Sequence, residues 1–197
     1  YIGEDGPSHQ PIEQVESLRL VPNLAVFRPA DATETIAGYK LALENKNPTA
    51  LILSRQTLPL LEGSSAENAI FGAYVVSAEQ NHIDAILLAS GSEVSVCIEA
   101  QQKLLQQGVD IRVVSVPCKE LFFKQDKKYI SSILPKKCEA RVAVDVGVSS
   151  GWRGLVGDKG ITMGINNFGE SGKGSEVAEL FNITCENIVK NVKKLVK

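Results

Sequence analysis

An α/β fold made of two successive units is what the sequence predicts, and three features of the 197-residue chain carry that expectation. Short apolar runs bounded by Pro, Asn or Gly alternate with stretches of helical periodicity, the pattern of wound sheets covered by helices. The run at 49–54 is almost unbroken, as expected of a strand buried in a parallel sheet. Periodicity lapses over 58–68, where Pro59, Gly63, Ser64 and Ser65 gather. Units at 1–62 and 73–197, joined by a linker at 63–72, are expected from that lapse.

The opening loop, Gly3-Glu4-Asp5-Gly6-Pro7-Ser8-His9-Gln10-Pro11, is shaped without regular pairing, because glycines admit backbone angles closed to other residues and Pro7 fixes its own φ. Pro11 suits the first turn of a helix running to about Leu20, which places His9 just before the helix start. Leu24 to Phe27 reads as a strand closed by Arg28-Pro29. Asp31 and Glu34 have capping-box spacing, and Ile36, Tyr39 and Leu43 then share one helix face. The 49–54 strand completes β-α-β and leaves Arg55 just past its carboxyl end, where open parallel sheets form their ligand crevices.

In the second unit, Tyr74 to Ser77 and Asp84 to Ala89 read as strands. Ser92 is the expected cap of a helix with Val94, Cys97, Ile98, Leu104 and Leu105 on one face, stopped by Gly108. A strand at Ile111 to Val116, a helix at Asp126 to Leu134, and strands at Arg141 to Val146 and Ile161 to Ile165 follow. The last helix starts near Cys185, with Ile188, Val192 and Leu195 as its apolar stripe.

Hydrophobic content of 44%, charged content of 22% and a net charge of −2 are those of an ordinary globular protein and give no electrostatic case for nucleic acid. The apolar runs fall far short of the roughly 18 residues a membrane span requires. Cys97, Cys118, Cys138 and Cys185 are scattered, without a CxxC pair or a histidine nearby, so they read as thiols of a reducing compartment and no metal site is expected.

Asp5 and His9, one of two histidines, are the first candidates for chemistry. An imidazole exchanges a proton near neutral pH, and a neighbouring carboxylate accepts hydrogen bonds, so the pair suits a polyol. Equally open is a capped turn at Asp5 with His9 as a buried, satisfied donor. Arg55 offers a forked donor for phosphate, or a surface salt bridge. Ala89-Ser90-Gly91-Ser92 lacks both a dinucleotide fingerprint and a Walker lysine and reads as a capped turn. Gly169, Gly172 and Gly174 read as a tight turn before a helix. Lys190, Lys193, Lys194 and Lys197 form a solvated basic face, and Trp152 is a buried anchor or a subunit contact.

Residues 3–11 closely resemble the GEDGPTHQP loop of transketolases, with Ser8 in place of Thr. Further segments resemble the same family in collinear order: Leu20 to Pro29, Asp31 to Leu43, Thr49 to Gln56, Ala89 to Val94, Arg112 to Pro117, Phe123 to Asp126, Val144 to Gly147, Gly151-Trp152 and Phe168 to Ser171. Gly172-Lys173-Gly174 departs from the family's usual Ala-Pro, which removes a proline from a helix start and should loosen it.

The resemblance implies the end of a pyrimidine-binding domain with parallel strands, then a complete C-terminal α/β domain with a mostly parallel mixed sheet. It implies transfer of a two-carbon ketol unit from a ketose phosphate to an aldose phosphate in the pentose phosphate pathway. By the same resemblance Asp5 holds a substrate hydroxyl, His9 binds substrate and relays protons as the catalytic residue, and Arg55 contacts the phosphate. Thiamine diphosphate and Mg2+ (or Ca2+) are the implied cofactors, bound by residues preceding Tyr1, so no cofactor or metal ligand is assigned in this chain. Sugar phosphates, the amino-terminal part of the same protein and a second copy in a homodimer are the implied partners, in the cytoplasm or a plastid. The chain alone is expected to be inactive. Dihydroxyacetone synthase and a non-catalytic dimerisation or regulatory module are the alternatives, the latter disfavoured by the joint presence of Asp5, His9 and Arg55.

Overall fold

The computed structural model of the protein describes residues 5–196, so the expectations resting on Gly3 and Lys197 lie outside the described residues. A single 3-10 turn, Pro7–His9, opens the described chain, followed by the short helix α1, Gln14–Leu18. The longer helix expected from Pro11 does not form. The Ile12 carbonyl, which in such a helix would accept from the Glu16 N–H, accepts instead from the Val148 N–H at 3.1 Å.

Strand β1 (Ala25–Phe27), helix α2 (Ala32–Glu44) and strand β2 (Thr49–Leu51) make the expected parallel β-α-β unit, with Phe27 opposite Leu51. The Asp31 side chain accepts from the Glu34 backbone N–H and caps α2. Glu34 turns back one residue further than a capping box requires and accepts from the Ala30 N–H. Strand β2 is shorter than the apolar run and only half-buried, because among the described residues it pairs with β1 alone. The α2 face carrying Ile36, Tyr39 and Leu43 points to solvent; Ala37 and Gly38 face the sheet instead.

Between the units lies α3, Ala66–Ala69, capped by Ser65. This stretch is pinned: Leu61 N–H and Ser64 Oγ both donate to Asp31, at 3.1 and 2.9 Å.

The second unit runs β3 (Tyr74–Ser77), β4 (Ala85–Ala89), α4 (Glu93–Leu105), β5 (Ile111–Ser115), α5 (Lys119–Phe122), α6 (Lys127–Ile133) and β6 (Arg141–Val144). It continues through a 3-10 turn at Ser149–Trp152, α7 (Arg153–Val156), β7 (Ile161–Met163), α8 (Gly174–Leu180) and α9 (Cys185–Leu195). Its sheet has the order β3-β5-β4-β6-β7, with β3 antiparallel and the others parallel. Strand β4, flanked by β5 and β6, is buried along its whole length. Helices α4 and α9 pack together on one face through Val94, Cys97, Leu104, Ile188 and Val192. Phe122, Trp152, Leu155 and Val156 fill the other face.

Ser92 bounds α4 without a side-chain cap, since its backbone is already helical and its hydroxyl is spent on Glu93. Helix α8 also starts without a side-chain cap, at Lys173. All four cysteines are free and buried; burial pushes the Cys118 thiol up to about 12. Among the described residues, no helix is long and apolar enough to cross a membrane.

Candidate functional site

Asp5 and Arg55, 50 residues apart in sequence, form a direct ion pair through an Asp5 carboxylate oxygen and Arg55 Nη1. Arg55 lies in the bend beyond β2, at the carboxyl end that the β-α-β reading marked. The Arg55 side chain is 67% exposed and that of Asp5 39%. His9, the last residue of the 3-10 turn, is exposed, which removes the buried-donor alternative. Its Nδ1 lies 3.0 Å from Ser8 Oγ. No hydrogen bond joins the imidazole to Asp5 or Arg55 among the described residues. The structure thus brings the acid and the guanidinium together directly, and places the imidazole four residues along the same loop.

Arg55 and Gln10 border a cavity of about 120 Å³ between the two units. Its walls are largely apolar, with Ile12, Ile52, Val146, Ile165, Val177 and Phe181 among them, and Asp5 and His9 lie outside its lining. Arg28, Ser92 and Asp145 supply its polar floor.

That floor is a buried charge cluster the sequence reading did not single out. Arg28 Nη1 donates to the Ser90 carbonyl at 2.7 Å, to Asp145 at 3.1 Å and to Glu93. Trp152 Nε1 donates to the other Asp145 oxygen at 2.8 Å, and Lys119 Nζ sits 4.2 Å over the indole. Ser90 and Asp145 lie just beyond β4 and β6, so Arg28 of the first unit fills the crevice at the carboxyl ends of the second sheet. At the start of α4 the Ser90 carbonyl and the Ser92 hydroxyl are engaged by Arg28 and Glu93, so this segment is tied up in an internal charge cluster. The available signals were an arginine after a buried strand and an aspartate at a strand's carboxyl end. Neither names its partner.

A second buried cluster also joins the units. Glu34 accepts from Tyr74 Oη at 2.8 Å and from Ser115, while Asp31 receives Ser64. Burial pushes the Glu34 carboxyl above its usual range, against the hydrogen bonds it accepts.

The described residues bring one set of three cation-ligating side chains together, Glu99, Cys185 and Glu186 on α4 and α9. Lys103 occupies it, with its ammonium 2.9 Å from Glu99 and 2.8 Å from Glu186. A buried thiol beside an ammonium does not fit a hard magnesium ion with a diphosphate.

Two α/β units, the second with a mostly parallel mixed sheet, define the class as α/β. Residues 1–60 match the family described as transketolase, pyrimidine binding domain, and residues 72–184 the one described as transketolase-like TK C-terminal domain. The chain belongs to the transketolase family. It is 44% identical to the chloroplastic transketolase of Solanum tuberosum over 197 residues, covering 98% of this chain and 27% of that protein. The transketolase of Pichia stipitis in complex with sedoheptulose-7-phosphate superposes with a TM-score of 0.92 at 41% identity, over 98% of this chain and 28% of that one. The transketolase of Leishmania mexicana gives 0.93 at 39%, over 99% and 28%. The chain therefore spans less than a third of the length of these relatives.

Proposed function

We propose that this chain forms the sugar-phosphate side of a transketolase active site, with residues 1–62 as the later part of the pyrimidine-binding domain and 73–197 as the C-terminal domain. The Asp5–Arg55 pair carries the reading. An exposed ion pair adds little to stability, yet here it ties two loops together at the border of the inter-unit cavity.

A phosphate arriving at Arg55 competes with Asp5 for the guanidinium and offers two acceptors in the geometry of its fork. The displaced Asp5 carboxylate is then free to accept from a substrate hydroxyl. His9 takes or returns the proton at the reacting oxygen. When the Ser8 hydroxyl donates to Nδ1, the ring proton sits on Nε2, which leaves that nitrogen for substrate.

Ketol transfer breaks a carbon–carbon bond beside a ketone, and bound thiamine diphosphate supplies the electron sink for it. The rest of the enzyme holds that cofactor and its magnesium. In this reading the complete protein works in the pentose phosphate pathway, in the cytoplasm or a plastid, as a homodimer whose contacts include the solvent-facing stripe of α2. The chain alone neither binds thiamine diphosphate tightly nor turns over substrate, which calorimetry and a coupled assay on the purified chain check.

In a complete transketolase carrying this chain, Arg55→Ala should raise KM for ribose 5-phosphate by about 10- to 100-fold, the scale of a lost charge-assisted contact. KM for an unphosphorylated aldehyde should hardly change. Equal losses with both acceptors would remove Arg55 from phosphate recognition. Formaldehyde as the preferred acceptor would favour dihydroxyacetone synthase.

A further inference from the structure

We infer that Gln10 is a positioning residue for His9, held by the 169–171 segment of the second unit, an inference that rests on the proposed proton-relay role of His9. The Gln10 side-chain amide meets one backbone residue in both directions. Its Nε2 donates to the Glu170 carbonyl at 2.9 Å, and its Oε1 accepts from the Glu170 N–H at 2.9 Å. The amide thereby satisfies both backbone hydrogen-bonding groups of Glu170 across 160 residues of sequence.

Two close approaches frame that clamp. A Cβ on Gly169 would lie 1.6 Å from Gln10 Oε1, so only glycine lets the backbone come this near. At the other end of the 3-10 turn, Gly6 has φ +71°, and a Cβ there would lie 2.4 Å from Ser171 Oγ. The three-residue turn carrying Ser8 and His9 is itself closed by one backbone bond, His9 N–H to the Gly6 carbonyl at 3.1 Å. So short a turn has little stability of its own. Both of its ends rest on 169–171, while Ser8 and His9 face outward. Past Gln10, the Ile12 carbonyl accepts from Val148 N–H at 3.1 Å, which fixes the chain leaving the loop to the second unit as well.

The second unit thus sets where the imidazole stands. Proton transfer depends on donor and acceptor lying within hydrogen-bond reach, and a displacement of about 1 Å from a remote change costs on the order of 100-fold in rate. Arg55 stands on the bend beyond β2, and its tie to the His9 loop through Asp5 is the one a phosphate displaces, so the grip on phosphate should be spared.

The test uses a complete transketolase carrying this chain as its carboxyl-terminal part. Gln10→Met keeps the length of the side chain and removes the two hydrogen bonds to Glu170; Gly169→Ala drives a methyl into the amide. Each should lower kcat by about 10- to 100-fold while KM for the phosphorylated acceptor stays within about threefold and the thermal midpoint barely moves. Because both changes break one clamp, Gly169→Ala should add little on the Gln10→Met background. In parallel, the imidazole NMR signals of the chain give a readout independent of turnover. His9 should shift in Gln10→Met, whereas His82, paired with Asp84 at 3.0 Å, should not. An unchanged kcat with an unmoved His9 signal would overturn the inference, as would a kcat loss matched by a fall in thermal midpoint. His9→Ala separates the two readings: full turnover in that variant sinks the relay role itself, while lost turnover beside a silent Gln10→Met sinks only the positioning.

Discussion

In the first unit, β1 and β2 make a two-stranded sheet whose second strand is half-buried, whereas in the second unit β4 lies between two strands and is buried throughout. Both strands read alike in sequence, as continuous apolar runs. Their difference comes from what surrounds them: among the described residues β4 finds β5 and β6, and β2 finds only β1. The helices repeat the contrast. On the α4 stripe Val94, Cys97 and Leu104 are fully buried against α9 and the sheet and Ile98 and Leu105 are half-buried, while the α2 stripe of Ile36, Tyr39 and Leu43 faces water, with Leu43 86% exposed. A periodic apolar face reports that a surface is meant to be covered; it does not report that the covering lies in the same segment.

The sharpest break in that comparison comes from Trp152, fully buried beneath Lys119 and bonded to Asp145. Trp152→Ala should cost about 3–5 kcal/mol in urea unfolding followed by far-UV circular dichroism, the range of large core truncations. Arg28→Met should cost about 3 kcal/mol, because it leaves Glu93 and Asp145 buried without their counter-charge. Adding Glu93→Gln should recover part of that loss, which would locate the damage in the orphaned charge and not in packing.

A smaller, pH-dependent effect belongs to Glu34. Its folded pKa is raised by burial, so its contribution is complete below the ordinary carboxyl value of 4.5 and is lost as pH rises through the folded value. Glu34→Gln should match the parent most closely at acid pH and gain on it toward neutrality, as read from thermal midpoints across the range. The smallest effect is expected on the exposed stripe, where Ile36→Asn and Leu43→Asn should each change the stability of the chain alone by no more than about 0.5 kcal/mol. A loss several times larger would mean that this face is covered in solution.

Much of the fold was legible because its signals are local. Asp31, Asp126 and Thr184 each cap the helix that follows, and Gly108, at φ +76°, lies beyond the end of α4 as expected. At Ser92 the same rule named the boundary but not the bond, since a tertiary partner, Arg28, draws on the hydroxyl. The helix expected from Pro11 failed for a similar reason: a tertiary partner, the Val148 N–H, takes the Ile12 carbonyl. Of the site, the sequence pointed to Asp5, His9 and Arg55, and the structure adds that the first and last are paired. The long-range roles of Arg28, Gln10 and Glu34 went unseen because each acts through a partner distant in the chain, and spacing carries no information about such encounters.

Arg28 also bears on how such proteins can be rearranged. With the guanidinium of one half lodged among carboxylates of the other, the halves are not interchangeable cassettes. A graft that joined either to a foreign neighbour at the 63–72 stretch would inherit a lock without its key. New combinations of these domains therefore have to exchange that arginine and its acidic socket together.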